Sequence, residues 1–182
     1  EHQKKYNIKH LLKALVPDCN IIENDEITEG AACTTLLAKK IINKNVPLII
    51  ANSDQFIEWN SGKSMYKFTD KNADGGILIF KSFHPKWSYA KTDENEKVIE
   101  VAEKKVISDK ATVGVYYWKK GADYVSFAEK MIKKNIRVNN EFYVCPVFNE
   151  AIQKGKKILI EEIDKMWGLG TPEDLDYFLK YY

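Results

Sequence analysis

PLIIANSDQ, residues 47–55, is a short apolar run opened by Pro47 and broken by four polar side chains in succession, Asn52, Ser53, Asp54 and Gln55. The apolar half predicts a buried strand. In open α/β sheets, ligands bind beyond the carboxyl ends of the strands, so a carboxylate placed there faces the ligand. Asp54 is such a carboxylate, and a hard divalent cation needs an oxygen of this kind when phosphates supply the others. A plainer reading makes Asp54 the cap of a following helix.

Working outward, apolar spacing predicts a helix in YNIKHLLKALV (6–16) and a short strand in NIIEN (20–24). A further helix is expected in GAACTTLLAKKIIN (30–43), then one in GKSMYKFTDKN (62–72), and GGILIFKS (75–82) reads as a second buried strand. SYAKTD and KVIEVAEK, about a polar DENE turn, predict a hairpin, followed by the strand ATVGVYYWK (111–119). GADYVSFAEKMIKKN (121–135) reads as a helix, as does FYVCPVFNEAIQKG (142–155), with Pro146 starting or kinking it. KKILIEEIDKM (156–166) is a strand pair or one long strand. TPEDLDYFLKYY closes the chain as a helix with Thr171 as cap, Pro172 at its first position and Asp174 three residues after the cap. Strands alternating with helices around a hairpin-rich middle predict an α/β fold with a mixed sheet flanked by helices.

Composition narrows the function. The 182 residues suffice for one domain with a sizeable core, so residues 1–182 are read as a single domain. Lys and Arg number 28 against 26 Asp and Glu, and the charges are interspersed, which argues against a nucleic-acid partner. Cys19, Cys33 and Cys145 are odd in number and widely spaced, which fits reduced thiols in a cytoplasmic protein better than disulfides or a zinc cluster. His2, His10 and His84 make no ligand pattern. No apolar stretch is long enough to span a membrane. The chain opens on Glu1 and runs straight into a helical pattern, so an upstream segment is expected.

Four further constellations could carry chemistry. In TEGAACTTLLAKK (28–40), Gly30, Ala31 and Ala32 would let a flat ligand approach the backbone at a helix start, although tight packing explains the same residues. Glu103 and Lys104, at a strand end, could together reach a sugar hydroxyl and a phosphate. Gly114, inside an aromatic and β-branched strand, marks a close approach or a bulge. Glu141 stands in NNEFYVCPVFNEAI between two asparagines and an aromatic pair. MWGLGTPEDLDYF reads most simply as a turn into the last helix.

In order and spacing these segments resemble the sugar-phosphate nucleotidyltransferases, among them the glucose-1-phosphate thymidylyl- and cytidylyltransferases. The resemblance implies a Rossmann-like fold of the nucleotidyltransferase and GT-A type. It implies nucleotide contacts around Thr28, Gly30, Ala31 and Ser53, and a catalytic Mg²⁺ on Asp54. VAEKK resembles the family's Glu-Glu-Lys-Pro motif, with Glu103 on the sugar and Lys104, a catalytic residue, on its phosphate; Ala102 and Lys105 stand where the motif has Glu and Pro. Gly114 would lie against the sugar ring and Glu141 would hold the sugar. The implied partners are a nucleoside triphosphate and a sugar 1-phosphate, and the implied product is a nucleotide-activated sugar for polysaccharide synthesis. Trp87, Tyr89, Tyr116, Tyr117 and Trp118 either line a pocket or pack a second copy, which leaves both a monomer and a homo-oligomer open.

Two departures stand out. No segment matches the family's first strand and glycine-rich triphosphate loop, so an N-terminally truncated chain with little activity of its own is expected. The family's Trp-x-Asp-x-Gly-Thr motif appears as WGLGT, with Gly168 where a second metal-binding aspartate would be. Two alternatives therefore accompany the transferase reading: a GT-A-type glycosyltransferase, and an inactive homologue that only binds a nucleotide sugar.

Overall fold

The computed structural model describes residues 5–182; Glu1 and His2, discussed above, lie outside the described residues. The elements are α1 (Ile8–Leu15), α2 (Ala31–Leu36), α3 (Lys39–Ile42), β1 (Leu48–Ala51), β2 (Gln55–Glu58), α4 (Ser61–Asp70), β3 (Gly75–Lys81), β4 (Tyr89–Thr92), β5 (Val98–Ala102), β6 (Lys110–Trp118), α5 (Gly121–Lys133), α6 (Val147–Gln153), β7 (Ile158–Glu162), β8 (Lys165–Gly168) and α7 (Pro172–Tyr181).

The central sheet runs β5-β4-β6-β3-β7, with β1 also paired to β6. Among the described residues only the β3–β7 pair is parallel; β1, β3 and β4 all run antiparallel to β6. Because side chains alternate along a strand, the sheet has two apolar faces. Ile77, Ile79, Tyr116 and Trp118 join the larger core beneath α5 and α6, where Trp118 stacks on Phe148 at 4.3 Å. Leu78, Val113, Val115, Tyr117 and Leu159 meet Phe68 of α4 on the other face. The mixed α/β sheet with helices on both faces agrees with the sequence expectation.

β6 governs the geometry of the site. Ile77 pairs with Tyr116 and Ile79 with Thr112, so two steps of β3 are matched against four of β6. Gly114 lies inside this slip with φ +77°, a left-handed conformation open to glycine. A second, two-stranded ribbon of β2 and β8 carries α7, through contacts of Phe56 and Trp167 with Phe178 and Tyr182.

Four sequence expectations are corrected. NIIEN (20–24) forms no strand; Ile22 is 46 % exposed and no neighbouring strand pairs with the segment. The helix at 30–43 breaks at Leu37–Ala38 into α2 and α3. The helix at 142–155 begins only at Val147, because Phe142 is committed to backbone bonds with Glu29 and Ala32. β1 is half-buried, with Ile49 49 % exposed, since among the described residues it is paired on one side only. KKILIEEIDKM is a strand pair, but its halves belong to different sheets.

Candidate active site

β1 delivers the chain to the site. Its register against β6 ends at Ala51–Val115, and the Asn52 N–H then donates to the Gly114 carbonyl at 2.9 Å. The polar run that follows enters β2 and not a helix, which removes the capping role for Asp54. The Leu169 N–H donates to the Asp54 carbonyl at 2.8 Å, fixing the start of β2 beside the turn that leaves β8.

Two adjoining cavities open at this carboxyl end of β1. One, of about 270 Å³, is lined by Ala31, Glu103, Lys104, Gly114, Tyr143 and Cys145 among others. The other, of about 260 Å³, is lined by Asp54, Gly168, Gly170, Thr171 and Asp174. Asn52, Gln55, Lys86 and Trp87 line both, so the two form one continuous cleft. The Gln55 side-chain nitrogen is buried and has no hydrogen-bond partner among the described residues. A buried amide is costly to leave unmet, and its place on the shared wall points to a ligand with acceptor oxygens.

In the first lobe, the Ser88 hydroxyl donates a hydrogen bond to the Glu103 carboxylate. Burial pushes the Glu103 pKa up; the Ser88 bond and the nearby Lys104 charge oppose it, and Glu141 adds to it. Lys104 occupies a tight turn after β5 with φ +52° and is anchored by its N–H to the Trp87 carbonyl at 3.1 Å. Its ammonium donates to the Tyr143 hydroxyl at 2.6 Å and lies 4.7 Å from the centre of that ring. The hydrogen bond to Tyr143 raises the Lys104 pKa, so the ammonium stays charged. Burial pushes the Cys145 thiol up as well, leaving it a neutral wall of the lobe.

In the second lobe, two glycines make room for two carboxylates. A Cβ on Gly170 would lie 2.9 Å from Asp54 Oδ2, and one on Gly168 would lie 3.3 Å from Asp174 Cγ. Asp174 is held at the N-terminus of α7, where its N–H donates to the capping Thr171 hydroxyl at 3.1 Å. Lys86 stands 3.6 Å from the Asp174 carboxylate and 4.5 Å from the centre of the Trp87 ring. Two hard carboxylates in one recess fit a divalent cation that takes its remaining oxygens from phosphate. Among the described residues no third His, Cys, Asp or Glu joins them.

The structure thus brings Ala31, Asp54, Glu103, Lys104 and Gly114 into one cleft, while Thr28, Gly30, Ser53 and Glu141 line neither lobe. Thr28 donates to the Gly30 carbonyl at 3.1 Å and meets the Thr34 hydroxyl at 2.6 Å, bracing the entry to α2. Gly30 packs on the Phe142 backbone. Ser53 is exposed. Glu141 is exposed and exchanges backbone hydrogen bonds with Val138 at 2.9 and 3.0 Å. Sequence reasoning missed Gln55, Lys86, Ser88, Tyr143 and Asp174 as site residues. Asp174 carried a signal, since the cap of the last helix follows GLG directly; Lys86 and Ser88 lie in an irregular stretch with no periodicity to place them.

A family model described as nucleotidyl transferase matches residues 2–176. No curated protein sequence matches the chain. A nucleoside-diphosphate-sugar pyrophosphorylase from Vibrio cholerae RC9 superposes with a TM-score of 0.81 at 25% identity, over 98% of this chain and 77% of that one. A UDP-glucose pyrophosphorylase in complex with UDP-glucose gives a TM-score of 0.75 at 14% identity, over 99% of this chain and 74% of its own. A Bacillus anthracis protein assigned as a glucose-1-phosphate thymidylyltransferase, in complex with sucrose, gives 0.70 at 17% identity, over 94% and 68%. The last two likenesses establish the fold alone. With the family model spanning nearly the whole sequence, the chain belongs to the nucleotidyl transferase family, as a member of the sugar-phosphate nucleotidyltransferases.

Proposed function

We propose that the protein condenses a nucleoside triphosphate with a sugar 1-phosphate, releasing a nucleotide-activated sugar and pyrophosphate. The observation that carries this reading is the continuous cleft at the end of β1. It has a carboxylate lobe at Asp54 and Asp174 and a lobe with one acid and one cation at Glu103 and Lys104. The carboxylate lobe suits a metal-bound triphosphate, and the Glu103–Lys104 lobe suits a phosphorylated sugar.

In the reaction a phosphate oxygen of the sugar phosphate attacks the α-phosphorus, and the bond to the bridging oxygen of the β-phosphate breaks. The protein's contribution is positioning and charge neutralisation. Lys104 offsets the charge of the attacking phosphate. Glu103, already an acceptor for Ser88, accepts from a sugar hydroxyl, and Gly114 leaves room for the sugar ring. Ala31, at the start of α2, meets the nucleotide, with Thr28 and Gly30 bracing that segment; Ser53, in the turn between β1 and β2, is a further nucleotide contact. Glu141 adds negative charge near the sugar. Asp54 and Asp174 would hold Mg²⁺, which supplies charge withdrawal from the α-phosphate when bound. Three free cysteines suit a cytoplasmic setting, where such a product would feed polysaccharide synthesis.

The test is pyrophosphate release with Mg²⁺ across four nucleoside triphosphates and a panel of sugar 1-phosphates. Release that needs both substrates supports the transferase. No release with any pair, from this chain or from one extended at its N-terminus, while a nucleotide sugar still binds, would overturn it in favour of a binding homologue.

A further inference from the structure

We propose that Tyr143 is a positioning residue that aims the Lys104 ammonium at the phosphate of the incoming sugar phosphate, an inference that rests on the assignment of Lys104 above. Lysine is a flexible cation with a four-carbon stem, and holding it costs side-chain entropy unless a partner fixes it. Lys104 has two constraints. Its backbone is fixed by the left-handed turn and by the Trp87 carbonyl, and its head by the Tyr143 hydroxyl at 2.6 Å with the ring alongside. The hydroxyl takes one of three ammonium protons, leaving two for a phosphate.

Tyr143 can do this because its neighbour is pinned. Phe142 is buried, its N–H donates to the Glu29 carbonyl at 2.8 Å, and its own carbonyl accepts from the Ala32 N–H at 2.9 Å. The Arg137 guanidinium lies 3.9 Å from the centre of the Phe142 ring and pairs with the Glu29 carboxylate. A side chain one residue from such an anchor makes a stiff support. Tyr143 also lines the lobe itself, so the support stands beside the ligand.

A double-mutant cycle tests this, with titrations of a sugar 1-phosphate and of the same sugar without phosphate. In Y143F, affinity for the sugar 1-phosphate should fall by up to about tenfold, the cost of ordering a free lysine side chain on binding. Affinity for the unphosphorylated sugar should not change. K104M should lose at least as much, and Y143F/K104M should lose no more than K104M alone. Removal of the hydroxyl should also move the alkaline loss of affinity to lower pH, because that bond raises the Lys104 pKa alongside the smaller contributions of Glu103 and Glu141. Additive losses, or an unchanged Y143F beside an impaired K104M, would overturn the role of Tyr143. An unchanged K104M would instead overturn the assignment of Lys104, so the two failures are distinct.

Discussion

The Asn52 side chain occupies the space that a Cβ on Gly114 would need: such a Cβ would lie 2.5 Å from Nδ2 and 2.7 Å from Cγ. The two residues are also joined through the Asn52 N–H and the Gly114 carbonyl. The end of β1 and the bulge of β6 are therefore one unit, and the cleft opens on it. Gly114→Ala should cost about 1–2 kcal/mol, most of it from the positive φ. The Asn52 side chain can rotate away, but its displacement should disturb the wall shared by both lobes. Chemical unfolding together with substrate titration checks this; a variant of full stability and full affinity would show that neither the conformation nor the contact matters.

Glu103 makes a pH prediction whose sign follows from its burial. Its carboxyl titrates above the ordinary value of 4.5 in the folded protein. Between the unfolded and folded pKa values, the folded state therefore binds more protons than the unfolded one. The group's stabilising share is fully present below the unfolded pKa and is lost as pH rises through the folded pKa. Glu103→Gln removes this titration. The melting temperature of Glu103→Gln relative to the parent should rise as pH climbs above the ordinary carboxylate value and level off once Glu103 is ionised in the folded state. A pH-independent difference would mean that burial is not what perturbs this carboxyl.

Much of this architecture was legible from residues 47–55 outward, because strands and helices announce themselves by period. β3, the β4–β5 hairpin, β6 and α5 all follow from apolar spacing. Asp54, Glu103, Lys104 and Gly114 stand at strand ends or inside a strand, where topology brings them together. The rest depends on contacts far apart in sequence. Tyr143 and Lys104 are 39 residues apart. Glu150, which would pass for an exposed helix position, is buried at 1 % and held by Lys130 at 2.7 Å and Lys134 at 2.6 Å. NIIEN (20–24) has strand-like composition, but no sheet edge receives it. Local propensity is a weak prior when tertiary pairing decides.

Gly30 makes a sharper prediction than Gly114. Its φ is +126°, and a Cβ there would lie 2.5 Å from the Phe142 nitrogen and 2.6 Å from the Phe142 oxygen. Backbone atoms cannot rotate away, so strain and overpacking add, and Gly30→Ala should cost about 3 kcal/mol or more. The loss should exceed that of Gly114→Ala in the same denaturant series. If Gly114→Ala is the worse of the two, the contact between the start of α2 and Phe142 is softer than its geometry implies.

The carboxylate lobe makes the last prediction. Gly168 has no side chain to offer a cation, yet the Asp174 carboxyl carbon lies 3.3 Å from where its Cβ would be. Asp174, reaching in from the N-terminus of α7, is thus placed to supply the second oxygen donor beside Asp54. Asp54→Asn should lower turnover by about two to three orders of magnitude, the usual effect of removing a contact to developing charge. Asp174→Asn should raise the Mg²⁺ concentration needed for half-maximal rate by about tenfold, since a carboxylate donor becomes a neutral one. Mn²⁺ titration followed by water-proton relaxation reads the same loss without turnover. If Asp174→Asn binds Mn²⁺ like the parent while Asp54→Asn does not, Asp174 serves only Lys86 and the helix start, and Asp54 holds the cation with phosphate oxygens alone.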